Sequence, residues 1–286
     1  MASDWLNRLQ SRKLSMKAKH KGIHKGMRSS RATGLSFDFS DYRSYQLGDD
    51  IRQIDWNVYG RTEKLYIKRF LDEQEISVSI VLDCSTSMQV IEKKWNLAKQ
   101  IAASFSYMTL ANDDRLNFLP VGITSELPLK RKGSLYSKQI YHYIMEIKKN
   151  DESVPFGIDA MKKINHHAHL VIIITDGMEE LKVIEKLFKR IITKFKQVRM
   201  LQILSKEELS PEYASDLKLI DSEEHTSVQV SMSNRVIAMY KERLKKHNEQ
   251  LASLCKQYGI SYLQIDDEKD LHTILFSLCA KSGWIE

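Results

Sequence analysis

The 286-residue chain has little of what marks the specialised classes of protein. Its 4 prolines and 11 glycines exclude collagen-like and Pro/Gly-rich low-complexity chains. No apolar run approaches the roughly 18 residues of a transmembrane helix. The three cysteines (Cys84, Cys255 and Cys279) lack metal-ligand spacing, and their odd number favours a reducing compartment over a disulfide framework. Because the basic N-terminus also lacks an apolar signal-peptide core, the sequence predicts a cytoplasmic soluble protein.

The positive charge is concentrated at the start of the chain. Of the net charge of +7, residues 1–33 carry +8, from nine Lys or Arg and one Asp, and the remainder carries −1. We predict a basic N-terminal arm over 1–33, either a solvated extension or a binder of nucleic acid or a membrane surface. Contact with nucleic acid or membrane is not favoured, because Trp5 is its only aromatic residue. If the arm is helical, Trp5, Leu6, Leu9 and Met16 form an apolar stripe.

Apolar segments of strand length alternate with helical patterns in the rest of the chain. Strands are predicted at 65–70, 76–82, 116–121, 170–175, 198–204 and 261–265, and helices at 91–110, 136–148, 156–165, 182–195, 235–258 and 269–280. A hairpin is predicted near 217–230. This alternation predicts an α/β fold with a mostly parallel sheet sandwiched by helices. Ligands of such sheets bind beyond the carboxyl ends of the strands, near the topological switch point.

Two of the predicted buried strands run directly into an aspartate. Asp83 begins the sequence Asp-Cys-Ser-Thr-Ser, which includes Ser85 and Ser87, and Asp176 follows the strand at 170–175. If the strands are neighbours, two carboxylates and two hydroxyls meet at one sheet edge, which suits a hard cation such as Mg²⁺ or Mn²⁺. A simpler alternative is that Asp83 and the serines cap the following helix.

The Asp-x-Ser-x-Ser pattern resembles the metal-ion-dependent adhesion site (MIDAS) of von Willebrand factor A-type domains. The resemblance implies that Asp83, Ser85, Ser87 and Asp176 hold the ion. Such domains usually add a threonine from a middle loop, and Val154 stands at the corresponding position in this sequence. Valine cannot ligate an ion, so either the neighbouring Ser153 takes over this role, water fills the place, or binding of the ion is weak.

The segment before the first buried strand resembles the signature of the domain-of-unknown-function-58 family. The matching stretches are 34–43, 45–56, Arg61 and 64–73, and the resemblance extends over most of residues 26–284. It implies a von Willebrand factor A-like (Rossmann-like) domain at 76–286, preceded by an irregular signature segment at 34–75 that packs on the core.

Charged residues are frequent in the signature segment. We expect charge-assisted hydrogen bonds among Arg43, Asp49, Asp50, Arg52, Asp55 and Arg61. Trp56 is predicted to be the apolar anchor of the segment. The favoured interpretation is an internal brace. The alternative is a partner-binding surface, for which the candidates are Arg43, Asp49, Asp50, Asp55, Trp56 and Arg61.

The family resemblance implies a role beside MoxR-type AAA+ ATPases, as a chaperone or assembly factor acting on an unknown protein client. We therefore expect a non-enzymatic docking module whose MIDAS-like ion accepts an acidic side chain of a partner. The enzymatic alternative is a Mg²⁺-dependent phosphoesterase, which would need a second aspartate where Ser85 stands. Neither G-x-x-x-x-G-K-[ST] nor G-x-G-x-x-G occurs in the sequence, so we expect no nucleotide binding by this chain.

Overall fold

The computed structural model describes residues 2–16, 39–70, 75–123, 128–149, 154–211, 216–220, 227–231 and 234–286. They belong to two compact units, one formed by residues 1–18 and 76–286 and the other by residues 19–75. Within these described ranges, every helix is too short or too polar to cross a lipid bilayer.

The elements of the larger unit alternate between helix and strand along most of its length. The strands are β3 (Ser77–Asp83), β4 (Arg115–Val121), β5 (Leu129–Lys132), β6 (Ala168–Thr175), β7 (Phe195–Leu204), β8 (Asp216–Ile220), β9 (Ser227–Ser231) and β10 (Ser261–Asp266). The helices are α1 (Ala2–Gln10), α3 (Thr86–Val90), α4 (Glu92–Ala111), α5 (Ser137–Met145), α6 (Phe156–Lys163), α7 (Leu181–Ile191), α8 (Lys206–Leu209), α9 (Asn234–Gln257) and α10 (Leu271–Thr273), the last continuing as a π-helical turn (Ile274–Cys279). The smaller unit contains β1 (Phe39–Ser44), α2 (Trp56–Thr62) and β2 (Tyr66–Phe70).

A six-stranded sheet in the order β10-β7-β6-β3-β4-β5 organises the larger unit. Neighbouring strands are parallel except for β5, which runs antiparallel to β4. The predicted α/β architecture with a mostly parallel sheet is confirmed. The predicted hairpin is also present, as the antiparallel pair β8 and β9.

The core lies on both faces of this sheet. Along β3, Ile80 and Leu82 belong to one buried cluster, together with residues of α1, α4 and α5. Val81, between them, belongs to a second cluster, with residues of α6, α7 and α9. Successive side chains of a strand point to opposite faces, so β3 is apolar throughout because helices cover both of its sides.

The first residues of the basic segment form part of the core. Leu6 and Leu9 of α1 and the following Leu14 are buried in the first cluster, so this stretch is a packed helix and turn rather than a solvated extension. Leu14 forms an antiparallel bridge with Ile285, and two backbone hydrogen bonds connect Lys13 with Glu286. The two ends of the described chain are thereby joined to each other.

The smaller unit is built around an antiparallel pair of strands. Strand β1 pairs with β2, and a 3₁₀ turn (Ile51–Gln53) and α2 lie between them in the chain. Among its described residues, the buried apolar ones are Ile54 and Ile67, which also form a bridge. Trp56 is 60% exposed, so the prediction that it anchors the segment is wrong. Trp56 is the first residue of α2, directly after the capping Asp55, and its ring contacts the half-exposed ring of Tyr59 edge-on.

Candidate functional site

The candidate site lies where β3 and β6 end side by side. The two strands are parallel neighbours, with Leu82 opposite Ile174. The chain continues from β3 to β4 on one side, whereas β6 continues to β7 on the other, so the strand order reverses here. Asp83 and Asp176 therefore emerge at the same edge of the sheet, at its topological switch point.

Asp83 is held rigidly at this edge. It is 1% exposed, and its Oδ1 atom accepts a hydrogen bond from the backbone N–H of Ser85 at 2.9 Å. Its Oδ2 atom accepts a hydrogen bond from the hydroxyl of Thr175 at 2.6 Å. Thr175 is fixed in turn, because its Oγ1 atom accepts from the backbone N–H of Gly177 at 3.0 Å. Both carboxylate oxygens of Asp83 are thus oriented by donors from the two neighbouring strand ends.

The environment of Asp83 is unfavourable for a negative charge. Burial, and next the charge of Asp176, raise the pKa of Asp83 from 3.8 to about 7. Hydrogen bonds from Ser85 and Thr175 oppose this rise, but they do not cancel it. Two carboxylates that are both buried, as Asp83 and Asp176 are, are stabilised by a proton or by a bound cation.

The hydroxyls of the same loop complete a set of oxygen atoms. Ser85 Oγ and Ser87 Oγ lie 3.1 Å apart, within hydrogen-bonding distance. Asp83, Ser85, Ser87 and Asp176 all line one cavity of about 240 Å³. The structure therefore brings together these four residues that the sequence singled out.

The structure describes the middle loop from Val154 onward. Val154 is not among the residues that line the cavity, and its backbone N–H donates to the carbonyl of Gly122 at 3.2 Å. Ser153, the candidate substitute ligand, lies outside the described residues. Gly122 has a φ of +84°, and a Cβ atom there would lie 2.9 Å from the backbone nitrogen of Ser85. A glycine at this position lets the chain just after β4 approach the loop of Ser85 closely.

Glu179, which the sequence analysis missed, adds a third carboxylate to Asp83 and Asp176 at the cavity. It lines the cavity, and both of its oxygens accept from the backbone N–H of Gly157, at 2.8 and 2.9 Å, near the start of α6. Burial, supplemented by the charge of Asp176, raises the pKa of Glu179. The sequence offered one indication of its role, because Glu179 follows Asp176 by three residues. An acid just before a helix is equally typical of a helix start, so this position alone did not indicate a site.

Lys94 is the second residue that the sequence analysis missed. It lies on α4 with no exposed surface, and its ammonium donates to Asp176 Oδ2 at 3.2 Å and to Glu208 Oε1 at 2.6 Å. Burial by itself would lower the pKa of Lys94, but the charges of Asp176 and Glu208 outweigh burial and raise it. Asp176 therefore already has one cationic partner.

The donor set of the cavity fits a hard cation. Carboxylate and hydroxyl oxygens are the ligands that Mg²⁺ and Mn²⁺ prefer. The described residues contain no cluster of three or more His, Cys, Asp or Glu side chains arranged to hold a metal, so the serine hydroxyls would have to contribute. Asp83 and Asp176 would provide the negative charge, and Ser85 and Ser87 the neutral oxygens.

Several charged residues of the smaller unit form ion pairs with one another. Arg43 pairs with Asp49 at 2.8 Å, and Arg52 pairs with Asp50 at 2.9 Å. Asp55 pairs with a lysine, since Lys68 Nζ lies 3.0 Å from its Oδ2 atom. The remaining contacts are backbone and phenol hydrogen bonds: Asp55 accepts from Tyr42, Asn57 and Val58, and Arg61 donates to the carbonyl of Asn57.

One comparison with known proteins shows a family, and it is a family of unknown function. The sequence profile of the family described as "Protein of unknown function DUF58" matches residues 41–250. The uncharacterized proteins Rv1480 of Mycobacterium tuberculosis and Mb1516 of Mycobacterium bovis are each 22% identical over 273 residues, which is 92% of this chain and 84% of each relative. BatB from Bacteroides thetaiotaomicron is 13% identical, with a TM-score of 0.38 over 72% of this chain and 98% of that chain. An aerotolerance-related membrane protein from Bacteroides fragilis is also 13% identical, with a TM-score of 0.40 over 73% and 98%.

Proposed function

We propose, from the premise that this chain belongs to the DUF58 family, that it is a non-enzymatic protein-interaction module with a MIDAS-like divalent-cation site. It would act with a MoxR-type AAA+ ATPase as a chaperone or assembly factor. The observation that carries the proposal is the convergence of Asp83, Ser85, Ser87 and Asp176 in one cavity at the switch point of the sheet.

The oxygen atoms of the cavity are already oriented for this task. Asp83 is aligned by Ser85 and Thr175, so little rearrangement is needed before an ion is bound. A bound Mg²⁺ or Mn²⁺ would supply an open coordination position for a carboxylate of the partner protein. The raised pKa of Asp83 supports this reading, because a cation relieves the repulsion between two buried carboxylates.

The cavity also has an apolar wall, which bears on the kind of partner it fits. Phe156, Ile184 and Phe188 line it together with the acids and serines. An oxygen-rich end beside an apolar wall suits a partner segment that presents an acidic side chain next to an apolar one. This combination favours docking of a protein over docking of a free small anion.

Two features favour a binding module over a phosphoesterase. Ser85 stands where the second acid of the enzymatic alternative would be needed, and its hydroxyl faces Ser87. Two charged groups next to these residues already have partners: Lys94 contacts Asp176 and Glu208, and Glu179 accepts from the backbone N–H of Gly157. Because the sequence contains no phosphate-binding glycine motif, the energy of nucleotide hydrolysis would come from the ATPase partner.

Calorimetric titration with Mg²⁺ and Mn²⁺ tests the cation site directly. The wild-type chain is expected to bind an ion, and Asp83→Asn is expected to lose binding because it removes one of the two charges. Asp270→Asn is the matched control, since Asp270 caps α10 and does not line the cavity. Equal affinity in wild type and Asp83→Asn would contradict the site.

The partner is tested by complex formation with a MoxR-type ATPase from the same genome, with Mg²⁺ or with a chelator. We expect a complex that needs the ion and is lost in Asp83→Asn but kept in Asp270→Asn. A complex that forms equally well in chelator would contradict ion-dependent docking. Mg²⁺-dependent hydrolysis of a phosphate ester that disappears in Asp83→Asn would instead favour the phosphoesterase.

A further inference from the structure

A fixed positive charge contacts one of the candidate ion ligands. Lys94 of α4 has no exposed surface and shares its ammonium between Asp176, which lines the cavity, and Glu208. These two acids come from different parts of the chain, the loop after β6 and the short helix α8 that follows β7. The described contacts of the Asp83 carboxylate, by contrast, are hydrogen bonds from Ser85 and Thr175. One acid of the pair is therefore matched by an internal cation, and the other is not.

We propose that Lys94 is an internal counter-cation that competes with the divalent ion for Asp176 and thereby sets how tightly the cavity holds the ion. This role rests on the cation site proposed above. Lys94 Nζ approaches Asp176 Oδ2 at 3.2 Å, and an ion ligated by Asp176 would bring a second positive charge close to this ammonium. In a site that excludes water, two cations at such distances repel each other strongly.

Glu208 gives Lys94 an alternative partner when the ion takes Asp176. Its contact with Lys94 is the shorter of the two, 2.6 Å against 3.2 Å. Its position is fixed by a capping box at the start of α8, because Glu208 Oε2 accepts from the backbone N–H of Ser205 and the Ser205 hydroxyl accepts from the backbone N–H of Glu208. The ammonium can therefore yield Asp176 without becoming an unpaired buried charge. When the ion binds, the Lys94 ammonium would keep its contact with Glu208 of α8 and weaken its contact with Asp176.

Removing the charge of Lys94 tests the competition. Lys94→Met removes the charge and keeps an unbranched apolar side chain of similar length. In calorimetry, this variant is expected to bind Mg²⁺ and Mn²⁺ at least about ten-fold more tightly than the wild type. That factor follows from deleting a unit charge a few ångströms from an ion, even at an effective dielectric constant of about 20. Lys99→Met is the matched control: Lys99 is also on α4 and also buried, but it donates to the carbonyl of Met145. It is expected to leave ion affinity unchanged.

A second variant changes affinity in the opposite direction. Glu208→Gln leaves Lys94 with Asp176 as its one charged partner among the described contacts, so the ion is expected to bind several-fold more weakly than to wild type. Opposite effects from Lys94→Met and Glu208→Gln cannot come from a general loss of stability. Removing one partner of a buried pair is destabilising, so Lys94→Met requires a circular dichroism check of folding. If Lys94→Met does not fold, the proposal rests on Glu208→Gln. An ion affinity of Glu208→Gln that equals or exceeds that of the wild type then overturns the proposal.

The outcomes separate this role from the cation site itself. Equal affinities in wild type and a folded Lys94→Met overturn the role of Lys94 and leave the site standing. Binding by Lys94→Met but not by wild type supports the competition and argues against ion-dependent docking in the wild-type chain. Absence of binding in the wild type, Lys94→Met and Lys99→Met overturns both.

Discussion

Asp83→Asn is expected to remove a pH dependence of stability that the wild-type chain has when no divalent ion is bound. In the folded chain, burial and then the charge of Asp176 raise the pKa of Asp83 from 3.8 to about 7. A carboxyl whose pKa is raised by folding holds its proton more tightly in the folded state than in the unfolded state. The free energy of unfolding therefore falls as pH rises through the interval from 3.8 to about 7, and this group causes no further change above it.

The size of the effect follows from the pKa. One pH unit within the interval corresponds to about 1.4 kcal/mol, so the wild type should lose about 3 kcal/mol from this group between about pH 5 and about pH 8. Asparagine has one side-chain oxygen for the two donors, Ser85 N–H and the Thr175 hydroxyl. The unsatisfied donor costs about 1–3 kcal/mol at every pH, so the pH dependence, and not the stability at one pH, is the quantity to compare.

Urea unfolding in chelator at a series of pH values measures this difference. The wild type is expected to lose about 3 kcal/mol more than Asp83→Asn between the ends of the range. Burial lowers the pKa values of His166 and His169, but both residues are common to the two proteins, so any pH dependence they cause cancels in the comparison. Parallel profiles for the two proteins would refute the reasoning, because they would mean that Asp83 is not protonated near neutral pH in the fold.

Three further substitutions test other parts of the structure. Gly122→Ala is expected to destabilise the chain more than Gly133→Ala in urea unfolding, because both glycines have positive φ angles but only at Gly122 would the Cβ meet a backbone nitrogen, at 2.9 Å. Equal losses would mean that the close approach is unimportant. Leu9→Ala is expected to cost about 2–5 kcal/mol, because Leu9 is fully buried in the core; an unchanged melting temperature would mean that α1 does not pack there. Asp55→Ala is expected to speed amide hydrogen exchange in α2, because it removes the carboxylate that accepts from the N–H groups of Asn57 and Val58; unchanged protection would contradict that capping role.

The position of the site was predictable because its signals are local in the sequence. Continuous apolar runs identified β3 and β6 as buried strands, and each run ends directly at Asp83 or Asp176. The sequence left open whether the two strands are neighbours, and the parallel pairing of β3 with β6 answers that question. Ser85 and Ser87 followed from the same short motif.

What the sequence did not reveal depends on contacts between distant residues. Lys94 and Glu208 are 114 positions apart, and a lysine within an amphipathic helix normally lies on its solvated face. Nothing in the local pattern distinguishes Lys94 from an exposed lysine. The prediction for Trp56 was wrong because a large aromatic residue usually indicates a core. Among the described residues of the smaller unit, Ile54 and Ile67 are buried and Trp56 is exposed. Strand β5 was not predicted, because three of its four residues are basic and it lacks the apolar alternation that indicates a strand.

The bridge between Leu14 and Ile285 bears on how the chain folds during its synthesis. Trp284 and Ile285 belong to the same buried cluster as Leu6 and Leu9. Helix α1 therefore completes its packing only after the segment around residue 285 has been synthesised. Closing a loop between Leu14 and Ile285 makes this a late and entropically costly step. Part of the apolar side of α1 stays uncovered until then, and we expect the nascent chain to depend on holding chaperones in this interval.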